Sequence, residues 1–470
     1  MSEETHPLEL IDRERVLRLL SEHLTRAWTS FDHPRPKEPQ LQPALYQRLA
    51  EDLPEAPGDP EASLADIASV LDASVSPSRP LYAAYIGSTG LEAGVLAGAL
   101  THAYDVNLAA AAGAAELLEN QTLRWVAEFV GYPIADGAFT SGGMLSNLTA
   151  LTAAREHALP GARHTGVAGR AAAVYCSEES HHSIARSVEV IGLGSRALRR
   201  IGVDGRRRMR VDALSAAIAA DRRDGVVPVA VAATAGTTLT GAIDPLAEIA
   251  DVCAEHGVWL HVDGAYGGPA AGVPSLAGLF TGLDRADSVT IDAHKWLGVQ
   301  KSCSLVMVSR QGPLERAFAH DERYMPHAGV AANGVDSTLE YSRPVRSLKL
   351  WLAFKIYGAA TLRRWIELTT VHARILADAL AADPGFELVA DPGLSVVCFR
   401  HLCVGDVDAH NWRLAQAIRE DGRVYLAPAV VDGKTCLRVC FMNFRTDAAH
   451  IDELLGVIRE LGDALRRSGP

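Results

Sequence analysis

Apolar positions along the chain fall into three regimes. Near the N-terminus Leu8, Ile11, Val16, Leu19, Leu20 and Leu24 recur at gaps that fit one helical face. PRPKEP at residues 34–39 stops that helix, and SPSRP at 76–80 marks a second break after another mostly helical stretch. Helices this short and interrupted suit either a self-contained domain or an arm laid on the main body or on a partner subunit.

From about residue 90 to 345 the pattern alternates between strand and helix. The clearest unit runs from VVPVAVAA through TAGTT into IDPLAEIADVCAEHG and then VWLHVD. Asp244 is expected to cap its helix, with Pro245 at the first position and Leu246, Ile249, Ala250 and Cys253 as the buried stripe. Gly257 ends the helix before Val258–Val262 re-enters the sheet. Further strands are predicted at Ala172–Tyr175 and Ser288–Ile291. Such repetition favours a mostly parallel sheet covered by helices, with active groups gathered beyond the strand C-termini.

After residue 345 a long amphipathic helical stretch follows, with Gly358 as its break. Strands are predicted around Phe386–Val389, Ser395–Arg400, Val424–Leu426 and Cys436–Phe441, with a helix near Asn411–Glu420. Ile451, Leu454, Leu455, Ile458 and Leu461 mark the last helix. The expected organisation is an N-terminal helical arm or cover at 1–90, a large α/β domain at 91–345 and a smaller α+β domain at 346–470.

Composition narrows the function classes. Lys plus Arg number 45 against 57 Asp plus Glu, a formal charge of -12, which argues against nonspecific nucleic-acid binding. The seven cysteines include no CxxC pair, so a reducing cytoplasm is the simpler expectation. The acidic, interrupted N-terminus is a poor signal sequence, and no run of 18 apolar residues suggests a membrane span.

Candidate chemistry sits at the strand ends. Asp292-Ala293-His294-Lys295-Trp296 follows an apolar strand, where a lysine can form an imine with an aldehyde and burial favours its neutral amine. An isolated HKW triplet is more often an ordinary turn; its neighbours change that balance. His261-Val262-Asp263-Gly264-Ala265-Tyr266 ends another strand. A carboxylate there can keep a ring nitrogen protonated and so strengthen an electron sink, although aspartates are also common caps. Gly264 and Ala265 leave room for a planar ring. In Ser180-His181-His182-Ser183, His181 is the preferred stacking residue and His182 lies behind it. Thr140-Ser141-Gly142-Gly143-Met144-Leu145-Ser146-Asn147 leads into a helix whose first amides suit a phosphate. Thr237 and Thr238 form a second hydroxyl-bearing turn.

Taken in order, TSGGMLSN, ESHHS, TAGTT, HVDGAYGG, DAHKW and RSLK resemble the group II pyridoxal-phosphate decarboxylases over roughly residues 75–460. The resemblance implies the aspartate-aminotransferase-like type I fold, pyridoxal 5'-phosphate as cofactor and an L-amino acid as substrate. It implies that Lys295 forms the imine with the cofactor, Asp263 pairs with the ring nitrogen and His181 stacks on the ring. Gly143, Met144 and Ser146 would line the phosphate turn, with Thr237 nearby, Ala265 beside the ring and His294 reaching phosphate or cofactor. Met144 departs from the small hydroxyl residue frequent there, leaving only its backbone amide. Tyr324, within Asp321-Glu322-Arg323-Tyr324, matches the loop tyrosine that protonates the substrate carbon. Its retention favours simple decarboxylation over oxygen-dependent aldehyde formation.

Tyr82, Tyr85 and Ile86 match the family's side-chain pocket, shared across a homodimer, and Arg343 is a candidate carboxylate contact. An aromatic L-amino acid is the preferred substrate, with an acidic or smaller one as the alternative. Aminotransfer and oxidative deamination are further outcomes within the same cofactor chemistry. A metal centre built from His181, His182, His261, Asp263 and His294 is the rival outside it, but no tight ligand spacing supports one, and no metal is expected. Nicotinamide binding is weaker still: IGLGSR at 191–196 lacks a third glycine.

Overall fold

The computed structural model describes residues 12–34, 43–87, 89–109, 112–320 and 334–467. Its N-terminal part consists of α1 (Arg13–Phe31), α2 (Pro43–Leu49) and α3 (Pro60–Asp72). Asp12 caps α1 by accepting from the Arg15 amide at 2.9 Å, and Asp59 caps α3 ahead of Pro60. Neither α1 nor α3 buries a residue, and Leu17, Ile67 and Leu71 stand exposed. Leu8 and Ile11 of the predicted helical face lie outside the described residues.

Helices α4 (Glu92–Tyr104) and α5 (Ala114–Val130) lead into a seven-stranded sheet. Its strands are β1 (Asp136–Thr140), β2 (Ala172–Ser177), β3 (Leu198–Ile201), β4 (Val227–Thr234), β5 (Trp259–Asp263), β6 (Ser288–Ile291) and β7 (Ser304–Val308). They lie in the order β1-β7-β6-β5-β4-β2-β3. Neighbours from β6 to β3 are parallel, whereas β7 runs antiparallel to both β6 and β1. Between the strands come α6 (Gly143–Ala158), α7 (Ala162–Thr165), α8 (His182–Val190), α9 (Val211–Arg223) and α10 (Leu246–His256); α11 (Pro313–Phe318) follows β7.

Both faces of the sheet are covered, which explains why its strands read as unbroken apolar runs. Val231, Ala233, Leu260 and Val262 pack with Leu214 and Ile218 of α9 and Ile249 of α10. The alternate positions Ala230, Ala232 and Trp259 pack instead with Leu151 of α6 and Ile184 and Val188 of α8. Gly257 ends α10 in the left-handed region at φ 57°, as the sequence predicts. Asp244 does not cap it. Its carboxylate turns inward and accepts from the Met209 amide at 2.7 Å and the Thr234 amide at 2.8 Å, and burial pushes its pKa up to about 6. Two buried amides from separate segments outcompete the helix terminus for this side chain.

The remaining chain forms α12 (Ser347–Ala381), β8 (Phe386–Leu388), β9 (Val396–His401), α13 (Val407–Asp421), β10 (Ala427–Val431), β11 (Lys434–Cys440) and α14 (Ala448–Arg467). Gly358 leaves helical geometry at φ 76° and kinks α12. The strands make an antiparallel sheet in the order β10-β11-β9-β8. The strand expected at 424–426 begins instead at Ala427. Tyr425 is taken by residues far upstream: its amide donates to Leu81 at 3.1 Å, and its carbonyl accepts from Ala83 at 2.8 Å. Ala83 then accepts from Cys440 at 2.9 Å, lacing the 81–84 segment onto the smaller sheet.

Candidate active site

Strands β4, β5 and β6 end side by side, and their last residues open one cleft. Asp263 closes β5 and pairs in register with Thr234 on β4 and Thr290 on β6. Lys295 follows β6 on a short turn, and its charge is felt at His181, as are those of Asp263 and Asp292. Three candidates separated along the sequence, His181, Asp263 and Lys295, therefore share one electrostatic neighbourhood with Asp292.

Asp263 is 6% exposed, and both its oxygens are hydrogen-bonded. Oδ1 accepts from the Ala265 amide at 3.1 Å, and Oδ2 accepts from Asn147 Nδ2 at 2.9 Å. Behind Asn147 runs a buried chain: Asn147 Oδ1 lies 3.0 Å from His261 Nε2, and His261 Nδ1 lies 2.9 Å from Ser288 Oγ. Trp259 Nε1 donates to that same hydroxyl at 2.8 Å. The indole can only donate, so the hydroxyl proton is free to point at His261 Nδ1 and the histidine donates from Nε2. Burial depresses the His261 pKa to about 4, so the ring stays neutral and the chain delivers N–H donors to Asp263. Trp259, Ser288, His261 and Asn147 thus hold an anion at the end of β5. The sequence reading gave Asn147 no role and missed Ser288. Inward-facing polar residues on otherwise apolar strands were the available signal.

Lys295 Nζ sits 2.9 Å from Asp292 Oδ2. Burial alone would lower the lysine pKa, but Asp292 and Asp263 outweigh it and the net shift is upward. This reverses the expected direction for the protein on its own: two carboxylates stabilise the ammonium more than the cleft destabilises it. His294 Nδ1 lies 2.8 Å from the Cys303 carbonyl, while its Nε2 faces Asp292 at 3.6 Å, beyond hydrogen-bond range. Burial lowers its pKa.

The predicted phosphate turn starts α6. Gly143 and Met144 occupy its first positions, whose amides have no acceptor within a helix. Gly143 is needed for space, since a Cβ there would lie 2.8 Å from Asp292 Oδ2. Ser146 points elsewhere: its hydroxyl bridges Thr140 Oγ1 at 2.7 Å and Ser304 Oγ at 2.8 Å, and its amide bonds the Gly142 carbonyl. Thr237 is likewise turned into its own turn, 3.1 Å from Thr240 Oγ1 and accepting from the Ala242 amide. Neither hydroxyl serves the cleft as expected, because both satisfy buried groups beneath it. His181 caps α8 through Nδ1, 2.9 Å from Ser183 Oγ, and Ser183 in turn accepts from Asn147. Burial lowers the His181 pKa, which favours a neutral, stackable ring.

Of the expected side-chain pocket, Tyr82 stacks on Tyr425 at 5.1 Å, Tyr85 leans toward the same ring at 6.5 Å, and Ile86 packs on the main core. Tyr425 was not anticipated. Arg343 does not offer its guanidinium to a ligand: both terminal nitrogens grip Glu119, at 2.9 and 2.6 Å, with both side chains buried. Arg438 is the better-placed arginine. It is 5% exposed and donates Nη1 to the Ala84 carbonyl and Nε to the Leu239 carbonyl, while buried Nη2 has no partner among the described residues. Its charge acts on Tyr266 and on Cys440, which itself senses Lys295. Tyr324 lies outside the described residues.

A lysine and a carboxylate at adjacent strand ends, a histidine whose burial favours its neutral ring and a glycine-lined helix N-terminus fit pyridoxal 5'-phosphate in each of its parts. They define a type I pyridoxal-phosphate enzyme. Residues 43–402 match the pyridoxal-dependent decarboxylase conserved domain, and the chain belongs to that family. It is 32% identical over 443 residues to the aromatic-L-amino-acid decarboxylase of Bacillus atrophaeus, covering 91% of this chain and 90% of that one. Identity reaches 37% over 289 residues with human cysteine sulfinic acid decarboxylase, covering 60% and 59%. The solved structure of Catharanthus roseus tryptophan decarboxylase with L-tryptophan matches with a TM-score of 0.90 at 25% identity, over 98% of this chain and 100% of that one. The chain is thus a pyridoxal-phosphate-dependent carboxy-lyase.

Proposed function

We propose that this enzyme removes carbon dioxide from an aromatic L-amino acid and releases the corresponding amine. The observation that carries the assignment of residues is the electrostatic coupling of Lys295 and Asp263 at adjacent strand ends, with Asp263 accepting from N–H donors on both oxygens. Pyridoxal phosphate supplies the electron sink that makes loss of the carboxylate feasible. Lys295 anchors the cofactor, Asp263 keeps the ring nitrogen protonated and His181 covers the ring. The amides of Gly143 and Met144 hold the phosphate, with His294 nearby. Tyr324 returns a proton to the substrate Cα.

An aromatic side chain is supported by the Bacillus relative and by the cluster of Tyr82, Tyr85 and Tyr425 rings, two of which match the family's side-chain pocket. A second reading, an acidic substrate, draws on the unpartnered Nη2 of Arg438 and on the cysteine sulfinic acid decarboxylase relative. Assay of a panel of L-amino acids decides between them. The first reading expects equal amounts of amine and carbon dioxide from aromatic substrates, without peroxide. Turnover of cysteine sulfinate, aspartate or glutamate alone selects the second. Keto acid without carbon dioxide overturns both.

The active form is proposed to be a homodimer. Leu96, Leu100, Tyr104 and Leu117 are large exposed apolar residues on α4 and α5, and α1 and α3 bury nothing within one subunit. Light scattering of active holoenzyme should give twice the subunit mass; a monomer rejects this assembly. Among the described residues no helix is long and apolar enough to cross a membrane. A cytoplasmic location, proposed from the unpaired cysteines, is tested by cell fractionation.

A further inference from the structure

Asn147 donates in two directions from one amide nitrogen. One hydrogen goes to Asp263 Oδ2 and the other to Ser183 Oγ, each at 2.9 Å. Asn147 and Ser183 are both buried, so water does not compete for these bonds. A carboxylate turns an amide's nitrogen toward itself, because the amide oxygen would be repelled. The Asp263 end therefore sets the direction of the Ser183 arm. Having accepted from Asn147, the Ser183 hydroxyl keeps its own proton for His181 Nδ1, which lies 2.9 Å away. The Ser183 backbone N–H is aimed at the same nitrogen at 3.3 Å. Nδ1 thus receives two donors and carries no proton of its own. Burial opposes a second proton on the ring, so the one it has sits on Nε2. Both hydrogen bonds that the His181 ring makes among the described residues are at Nδ1, which leaves Nε2 for a ligand.

We propose that Asn147 and Ser183 are positioning residues that keep the proton of His181 on Nε2, so that the stacking ring meets the substrate as an N–H donor and selects loss of the carboxylate over loss of the Cα hydrogen. An N–H attracts a carboxylate and has no lone pair with which to take a proton. A bare Nε2 would do the reverse: it would repel the carboxylate and act as a base toward the Cα hydrogen. Breaking the bond to hydrogen returns an exchanged amino acid or, by aminotransfer, a keto acid. The amide that helps to hold Asp263 thus also governs what His181 offers, two hydrogen bonds away. The inference rests on the reading above that His181 covers the ring, but not on which amino acid is the substrate.

Nitrogen NMR of isotope-labelled histidines in the full chain reads the tautomer directly, with the His181 signals assigned by their loss in His181→Gln. Wild type without cofactor should show a protonated Nε2 and a bare, hydrogen-bonded Nδ1; a proton on Nδ1 overturns the proposal. Ser183→Ala should move the Nδ1 signal toward that of a nitrogen without a donor, and Ser183→Thr should restore it. Reaction choice is read in deuterium oxide, with the loaded enzyme and the fastest substrate of the amino-acid panel. The quantity is deuterium gained at Cα of recovered substrate relative to carbon dioxide released. Ser183→Ala should raise that ratio about fivefold, the worth of one hydrogen bond. Asn147→Leu should move it in the same direction, and Ser183→Thr should return it to the wild-type value. A merely structural lesion slows both outcomes together, so an unchanged ratio overturns the proposal. Adding pyridoxal phosphate to the labelled protein tests the underlying reading separately. His181 signals that do not move on cofactor binding reject its place over the ring, whichever way the ratio falls.

Discussion

Asp263 and Asp292 are both buried carboxylates beside Lys295, but their surroundings differ. Asp263 receives N–H donors on both oxygens and stands at the end of a hydrogen-bonded chain reaching Trp259. Among the described residues, Asp292 receives one cation on one oxygen and nothing on the other. A carboxylate fixed by neutral donors from the fold keeps those partners whatever occupies the cleft. One held by a reactive lysine loses its partner when that lysine reacts. The site thus pairs a rigid end, held by a buried hydrogen-bonded chain, with a responsive end, held by the lysine.

Breaking the responsive end has the largest expected effect. Lys295→Ala should lower turnover by about 10³-fold or more and remove the visible absorption band of the loaded enzyme. If borohydride traps the cofactor on another lysine, the assignment of this end is wrong. Next comes the rigid end. Asp263→Ala should cost about 10²-fold in kcat and leave the Asn147 and Ala265 N–H groups unpaired, lowering unfolding free energy by about 1–3 kcal/mol.

Asn147→Ala probes the chain rather than its terminus. It should lower kcat by about tenfold and stability by about 1–2 kcal/mol, since His261 Nε2 and Asp263 Oδ2 both lose a partner. Wild-type values for both would show that the chain does not support Asp263. The smallest effect is in pH. His261 titrates near 4 in the folded protein against an ordinary 6.5, so the unfolded chain binds more protons between those values. Its contribution to stability is complete above about 6.5 and is lost as pH falls toward 4. Urea unfolding at pH 7 and 5.5 should show wild type losing about 1 kcal/mol more than His261→Gln. Equal losses would place the ring in a less buried setting.

The strand-helix alternation, the kink at Gly358 and the clustering of Lys295, Asp263 and His181 at strand ends were legible in the chain, because periodicity and chain order carry them. Partner choice was not. Ser146, Thr237 and Asp244 carry the side chains of cofactor contacts and helix caps, but Ser146 is claimed by Ser304, Asp244 by Met209 and Thr237 by Thr240 and Ala242 of its own turn. Arg343 and Arg438 are indistinguishable as residue types; burial against Glu119 separates one from the other, whose Nη2 is left unpartnered near the cleft. The lysine followed the same logic in its pKa. Local pattern sets which elements form and roughly where reactive groups emerge. Which polar atom meets which depends on contacts between residues far apart in sequence, and only the packed structure brings those together.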